Sequence, residues 1–456
     1  LNGWSIMILF PELWLVSILL LMVLFCGYWK PERFSTIALI GLLGAAVLLW
    51  VNGQGASAMW QVDKFAQIMQ LMVLLLTAWV GYYGRNSIAS HLSAYVYILL
   101  VMATVGAMVI ISAQSWALFY VGLELMALPT YALCIIDKSH PTASEASLKY
   151  FVMGVIASIF ILYGIAFIYL VSMSIDYTNL LFVDNGMRWY LSLGVVFLLA
   201  GIFFKFGLAP FHMWVPDVYE SAPIMVVNWI AVVPKIALMA AFIRILSVTG
   251  LYKVTVVSQL SLMVALLSIG YGVLLAVKQQ NLRRLIGYAS IAHMGFVMLP
   301  VSLASASGLS SALVYLVGYA VITTTAFCVL VVWSQQGITQ LSDLAGLARS
   351  QPFESYTLLL SLAAMAGIPP LVGFVIKVNV LSEMLMAGYI KPVIWAVIFV
   401  AISGYYYMSM VRHMFFNEAA PSQVDQEHTT SKNHYTVLIW GGVLILLGVL
   451  PQSLLY

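Results

Sequence analysis

Apolar runs long enough to cross a lipid bilayer dominate this chain, and they constrain its fold more than any other feature. Hydrophobic residues make up 63% of the 456 residues and charged residues only 8%, whereas charged residues form about a quarter of a soluble domain. A spanning helix needs roughly 20 mostly apolar residues, which leaves little chain for domains outside the membrane. The composition therefore predicts a polytopic membrane protein and excludes a soluble enzyme.

The apolar runs predict an all-α fold with about 14 transmembrane helices. Two of these helices should be broken, because the seventh continues into residues 205–210 (KFGLAP) and the twelfth contains residues 367–370 (GIPP). Proline interrupts a helix, and irregular backbone at membrane depth is tolerated only inside protein or beside a wet cavity. The breaks lie five segments apart, which predicts two inverted five-helix repeats.

The segments predict a division of the chain into four parts. Residues 1–90 hold three transmembrane helices, residues 91–250 the first five-helix repeat, residues 251–416 the second repeat, and residues 417–456 a loop and a last helix. The first apolar segment lacks a cationic region and a cleavage site, so we expect a retained helix. Most basic loop residues fall on one side of the membrane, which predicts that this side is the cytoplasmic or matrix side. Both termini should then face the periplasm or the intermembrane space. These features predict a multi-pass membrane protein.

Charged residues inside the apolar segments are the candidate functional residues. Lys149, Lys205, Lys235 and Lys377 lie within or at the edge of such segments, and Glu124 is the lone charge of its own. Each buried charge costs roughly 2.5–3.5 kcal/mol on insertion scales. A desolvated lysine releases its proton more readily and a nearby carboxylate opposes this release, so moving the partner toggles the proton. The set predicts a proton relay in which Glu124 and Lys205 form a pair.

Other readings remain open for several polar residues. Lys149 follows Glu145 by four residues, so the two share a helical face and could form a surface ion pair. His293 lies deep in the tenth segment, where it could titrate near neutral pH or act as a hydrogen-bonded structural residue. Three polar residues after the seventh segment could equally cap a helix or fix a loop, namely His212, Asp217 and Glu220.

No sequence motif indicates a cofactor, a metal or a nucleic acid. The chain contains neither a GxxxxGK[ST] nor a GxGxxG motif. Cys26, Cys134 and Cys328 lie far apart, without the paired spacing of iron–sulfur or zinc sites. The net charge of +3 is too small to indicate nucleic-acid binding. We therefore expect no metal and no cofactor in this chain.

Several motifs resemble the antiporter-like membrane subunits of respiratory complex I. These are residues 204–223 (FKFGLAPFHMWVPDVYESAP) and 124–129 (ELMALP). Within that group, residues 145–150 (EASLKY), 278–293 (KQQNLRRLIGYASIAH) and 366–374 (AGIPPLVGF), the last followed by Lys377, resemble subunit N. The longest sister, subunit L, continues into a lateral helix, whereas this sequence ends at Tyr456, which favours subunit N.

The resemblance implies a fourteen-helix fold. It also implies that this chain translocates protons, driven by the reduction of quinone by NADH in other subunits. By this resemblance, Glu124 is the carboxylate that modulates Lys205, and Lys235 is the bridging lysine. His293 is the central relay residue, and Lys377 is the terminal lysine. Lys149 matches a family lysine near the sixth helix. We expect Lys205, Lys235, His293 and Lys377 to line a hydrated axis parallel to the membrane.

The resemblance also implies partners and leaves alternatives. FMN, iron–sulfur clusters and quinone would reside in partner subunits, and the neighbours would be antiporter-like and small helical membrane-arm subunits in the lipid bilayer. The membrane would be the bacterial inner membrane, or alternatively the mitochondrial inner membrane. The same helices and lysines occur in multisubunit cation/proton antiporters and membrane-bound hydrogenases. An independent solute transporter and a purely structural scaffold are further alternatives.

Overall fold

The computed structural model describes residues 9–52, 54–57, 59–137, 142–178, 180, 185–417 and 434–449, and it is built almost wholly from helices. The helices are α1 (Phe10–Leu24), α2 (Glu32–Asn52), α3 (Lys64–Gly84), α4 (Ser93–Ser112), α5 (Trp116–Ile135), α6 (Ala143–Ser172), α7 (Arg188–Phe206), α8 (Trp214–Ser221), α9 (Ile224–Thr249), α10 (Thr255–Ala276), α11 (Leu282–Val301), α12 (Ala306–Gln335), α13 (Leu347–Ser350), α14 (Pro352–Ala366), α15 (Val372–Met386), α16 (Ile390–Phe416) and α17 (His434–Val449). Two short strands, β1 (Gly55–Ala56) and β2 (Gln61–Val62), pair antiparallel between α2 and α3.

The helix lengths confirm an all-α polytopic membrane protein. Within the described residues, eleven helices are long and apolar enough to cross a bilayer, and Phe10–Leu24 and Ile439–Gly448 are shorter apolar helices. The count of about fourteen spans stays a prediction. Of the predicted last part of the chain, residues 418–433 and 450–456 lie outside the described residues.

The chain divides into two compact units. The first contains Leu1–Phe206 and Ser221–Val257, and the second contains Gly207–Glu220 and Ser258–Tyr456. The segment after the first predicted break therefore belongs to the second unit, although α7 before it belongs to the first. The four-part division predicted from the apolar segments stays a prediction.

Both predicted helix breaks are present and share one backbone pattern. α7 ends before Gly207, which has a φ of +74°, and the peptide bond to Pro210 is cis. α14 ends before Gly367, which has a φ of +88°, and the peptide bond to Pro370 is again cis. A positive φ is accessible to glycine without a steric penalty. Each break is thus a left-handed glycine followed three residues later by a cis proline.

Glycines let α6 and α7 pack with their backbones nearly in contact in the first unit. A Cβ atom on Gly164 would lie 2.6 Å from the backbone nitrogen of Leu198, and one on Gly201 would lie 2.6 Å from the carbonyl oxygen of Ala157. Small residues are enriched at such interfaces because dispersion and close backbone approach replace the hydrophobic effect inside a membrane. This packing fixes the end of α7, where Lys205 follows Gly201 by one turn.

Glycines also bring α4 against α5 beside Glu124. A Cβ atom on Gly106 would lie 2.3 Å from the backbone nitrogen of Met126, and one on Gly122 would lie 2.7 Å from Val109 Cγ1. The backbone around Glu124 is therefore held tightly by α4, which leaves the carboxylate to be positioned by α6 and α7.

Candidate functional site

Glu124 and Lys205 lie side by side in the first unit. Lys205 Nζ is 3.8 Å from Glu124 Oε1, and the two side chains are 7% and 21% exposed, respectively. At this separation the two groups attract each other strongly in a low-dielectric interior, but they are not locked in a short hydrogen bond. The pair predicted from the sequence is thus brought together as a loose contact.

Two hydroxyl groups complete this cluster, and the sequence reasoning missed both. Lys205 Nζ donates a hydrogen bond to Tyr131 Oη at 3.0 Å, and Ser158 Oγ donates one to Glu124 Oε1. Tyr131 fits because the facing residue is Gly154, where a Cβ atom would lie 2.1 Å from the phenol oxygen. The lysine therefore has two alternative partners, a carboxylate and a phenol.

Lys235 lies in the most enclosed helix of the first unit. α9 is buried around nearly its whole circumference, and Lys235 itself is 2% exposed. Pro234 lies directly before it inside the helix, so the carbonyl of Ile230 loses its usual N–H donor. Asn228 precedes Lys235 by seven residues and shares its helical face, and its Oδ1 has no hydrogen-bond partner among the described residues. This face of α9 is thus polar inside an apolar core.

Lys377 is held by the end of a half-helix in the second unit. Its Nζ donates hydrogen bonds to the carbonyl oxygens of Met365 at 2.6 Å and Ala366 at 3.1 Å, which are the last two residues of α14. The final carbonyls of a helix have no partner within it and carry the negative end of its dipole. Nζ also lies 5.7 Å from the centroid of the Phe296 ring. The helix break therefore supplies the acceptors for this lysine.

His293 lies between two tyrosines in the second unit. It is buried, its Nδ1 is 2.8 Å from Tyr315 Oη, and its Nε2 is 3.3 Å from Tyr407 Oη. A phenol can donate or accept a hydrogen bond, and a neutral imidazole has one nitrogen of each kind. Either tautomer satisfies this arrangement, so a proton can arrive at one nitrogen and leave from the other.

A second hydroxyl group network lies one helical turn away from His293. Tyr319 Oη donates to Ser290 Oγ at 3.0 Å, and Tyr219 Oη lies 3.3 Å from the same oxygen. Ser290 and His293 are three residues apart on α11, and Tyr315 and Tyr319 are four apart on α12, so both networks use the same helix faces. The i, i+3 and i, i+4 spacing of these polar residues was a readable sequence signal.

A small cavity connects His293 with Lys377. Its walls include these two side chains together with Ser403, Tyr406 and Tyr407. The space open to the centre of a water-sized sphere is about 10 Å³, which is about the minimum that one water molecule needs. Polar groups on several sides can hold such a water, so the cavity can bridge the histidine and the lysine.

Lys149 occupies a different environment from the other lysines. Its Nζ lies 2.7 Å from Glu145 Oε1, and the two side chains are 49% and 67% exposed. This geometry matches the surface ion pair that the sequence left open.

The acidic residues after the first helix break form ion pairs. Asp217 and Glu220 bind Arg284 at 3.0 and 2.7 Å, and these contacts tie α8 to α11 within the second unit.

The sequence reasoning also missed a buried carboxylate. Glu12 in α1 is 6% exposed and accepts a hydrogen bond from Gln70. It is the third residue of a short helix, where a glutamate is expected as an ordinary first-turn residue.

Among the described residues, no group of three potential metal ligands comes together.

Comparison with known proteins gives a consistent result. Residues 113–404 match the family described as NADH:quinone oxidoreductase/Mrp antiporter, transmembrane. NADH-quinone oxidoreductase subunit N from Methylovorus glucosotrophus is 34% identical, covering 98% of this chain and 95% of that protein, and the one from Nitrosomonas europaea gives the same three values. A chain of respiratory complex I from Thermus thermophilus has a TM-score of 0.82 and 28% identity over 98% of both chains.

Chains from two other complexes share the fold at lower identity. A chain of an archaeal membrane-bound sulfane sulfur reductase has a TM-score of 0.87 at 22% identity, and one of the Mrp complex from Dietzia has 0.84 at 21%. Together with the family match over residues 113–404, the broken helices define an antiporter-like membrane subunit. Within this class, the chain belongs to the family of NADH-quinone oxidoreductase subunit N.

The contact between Gly367 and Lys377 gives a testable prediction about how the half-helix end is built. A Cβ atom on Gly367 would meet Lys377 Cδ at 3.1 Å, and its φ is positive. Gly388 also has a positive φ but has no atom within 4 Å. Gly367→Ala and Gly388→Ala should each lower the free energy of unfolding by about 1–2 kcal/mol, because alanine is strained in a left-handed backbone. Gly367→Ala should lower it further, because the added Cβ atom displaces Lys377. Thermal unfolding of the two purified variants measures the difference, and equal losses would contradict the contact.

Proposed function

We propose that this chain translocates protons as a membrane-arm subunit of a bacterial NADH:quinone oxidoreductase. The observation that carries the proposal is that each compact unit holds a buried lysine with exchangeable partners. These are Lys205 between Glu124 and Tyr131, and Lys377 between two half-helix carbonyls and the cavity beside His293. The nearly full-length relatives named NADH-quinone oxidoreductase subunit N support the assignment to that assembly.

In the first unit, Glu124 controls how firmly Lys205 keeps its proton. While the carboxylate is near, the charged amine is stabilised; when it withdraws, the amine is left with a neutral phenol and the cost of burying the charge rises. The lysine then gives its proton to the next acceptor. Ser158 Oγ donates a hydrogen bond to the same carboxylate oxygen that faces Lys205. Lys235, buried in the same unit, is the proposed next proton carrier.

In the second unit, the proton moves between His293 and Lys377. One phenol passes its proton to one nitrogen of His293 and takes up another from the proposed hydrated axis, while the other nitrogen releases its proton towards the cavity and Lys377. The lysine holds the proton against the negative end of α14 rather than against a carboxylate. The continuous hydrated axis through all four residues remains part of the proposal, as does any role of Lys149.

The redox chemistry belongs to other chains in this proposal. NADH oxidation at FMN, electron transfer through iron–sulfur clusters and quinone reduction would take place in partner subunits of the same assembly, in the bacterial inner membrane. The likeness to a chain of the Mrp complex favours a cation/proton antiporter subunit as the second candidate. Purification of the chain from native membranes distinguishes the two, because only the first candidate copurifies with subunits that oxidise NADH.

Glu124→Gln tests the control of Lys205. The neutral amide keeps the shape but removes the charge, so we expect slower quinone reduction and pumping in the assembled complex, by about tenfold for a loss of about 1.4 kcal/mol, with NADH oxidation by artificial acceptors intact. Glu32→Gln, which removes an exposed glutamate at the start of α2, is the control. Normal pumping by an assembled Glu124→Gln complex would refute the pairing.

Lys377→Arg tests whether Lys377 releases its proton. Arginine keeps a positive charge at the half-helix end but does not deprotonate in proteins. We therefore expect loss of proton pumping in Lys377→Arg as well as in Lys377→Ala, measured as protons moved per NADH in inverted vesicles. Lys391→Arg, at an exposed position of α16, should pump normally. An unchanged proton yield for Lys377→Arg would mean that this lysine supplies only a fixed field.

Tyr407→Phe tests the hydroxyl route through His293. The change removes the oxygen 3.3 Å from Nε2, and the loss of one hydrogen bond is worth about 0.5–1.5 kcal/mol, or a two- to tenfold slower turnover. Tyr405→Phe removes the hydroxyl of a side chain that is 66% exposed two residues earlier and should have no effect. Equal turnover in both variants would exclude Tyr407 from the route.

A further inference from the structure

A buried polar cluster in the first unit joins α1 and α3 to α4, which is the first helix of the first predicted repeat. Its members are Glu12 of α1, Gln70 of α3, and Met108 and Ser112 of α4. Glu12 is 6% exposed, and Gln70 and Ser112 are 0% exposed. The proposed proton relay uses none of these residues, so the cluster requires its own explanation.

The hydrogen bonds of the cluster leave its carboxyl group incompletely satisfied. Gln70 Nε2 lies 3.0 Å from Glu12 Oε1, 3.1 Å from the carbonyl oxygen of Met108 and 2.8 Å from Ser112 Oγ. An amide nitrogen has two hydrogens, so three acceptors compete for two donors. Glu12 Oε2 and Gln70 Oε1 have no hydrogen-bond partner among the described residues.

None of the cations among the described residues pairs with this carboxyl group. Glu12 forms no ion pair with any described residue. On the helices packed against it, Glu32 and Arg33 lie at the start of α2, α4 has no charged residue, and α3 carries only the exposed Lys64, six residues before Gln70. An ionised carboxylate buried in this way is costly, and the cost is avoided when the group binds a proton.

The cluster lies close to one end of the helix bundle. Glu12 is the third residue of α1, and Ser112 is the last residue of α4. At about 1.5 Å per residue, the carboxyl group starts about one turn from the helix end. Ala113 pairs directly with Trp60, so extended chain follows Ser112 at once. The carboxyl group therefore lies near the end of the bundle at which α4 ends.

We propose that Glu12 is a proton-binding site that exchanges its proton with water on the side of the membrane where α1 begins. In the bound state the carboxylic acid is neutral, and its carbonyl oxygen accepts from Gln70. On release the O–H bond breaks, the electron pair stays on the carboxylate, and the proton passes to water. The amide of Gln70 then turns its hydrogens from Met108 and Ser112 towards Glu12, which stabilises the charge. The site does not depend on the lysine relay.

Infrared difference spectroscopy of the intact complex in lipid tests the proposal without turnover. The wild-type complex should show the carbonyl stretch of a protonated carboxylic acid that shifts in D₂O and disappears as the pH is raised. Glu12→Gln should lose this band, and Gln70→Ala should move it to higher frequency because the carbonyl loses its donor. Glu32→Gln should keep the band unchanged.

Two outcomes would overturn the proposal. A band that is lost in Glu12→Gln but neither shifts in D₂O nor responds to pH would show a static, structural carboxylic acid. The absence of any difference between the wild-type and Glu12→Gln spectra would show that Glu12 stays ionised. Because the measurement is made at rest, its result is separate from that of the pumping assays on Glu124 and Lys377.

Discussion

The chain must keep positively charged amines inside an apolar helix bundle, and most of its other features follow from that requirement. Water stabilises an ammonium group by hydration, whereas in the protein interior only polar groups on neighbouring helices can replace that hydration. Lys205 receives a carboxylate and a phenol, and Lys377 receives the carbonyls of α14. The broken helices, the close helix packing and the polar faces inside apolar helices all serve to deliver these partners.

The two lysines illustrate different physical solutions. The partner of Lys205 is a side chain that can turn away, so the electrostatic environment of this amine can change without backbone movement. The partner of Lys377 is the end of a helix, whose carbonyls keep their direction as long as the helix keeps its end. The first amine is therefore suited to being switched by its partner, and the second to exchanging a proton with the His293 side in a field that stays constant.

Much of this arrangement was readable in the sequence, because buried charges and helix-breaking residues are rare in apolar segments. The burial of Lys205, Lys235 and Lys377 and both helix breaks were predicted in this way, whereas Lys149 lies in an exposed ion pair. Tyr131, Ser158 and Tyr407 were not, since hydroxyl groups occur widely in membrane helices and their importance comes only from which helix faces them. Glu12 was missed because its burial depends on α3 and α4, which no pattern within α1 records.

The symmetry of the contacts around His293 has a consequence for energy conversion. Hydroxyl groups lie on both of its nitrogens, so a proton can traverse the imidazole from either direction with the same hydrogen bonds. Such a hydrogen-bonded histidine does not impose a direction on proton transfer, and by itself it would allow the membrane potential to drive protons backwards. The one-way character must come from timing, through gates that are closed on one side before they open on the other. In the proposed relay, the contact of 3.8 Å between Glu124 and Lys205 would act as such a gate, and His293 would conduct the proton.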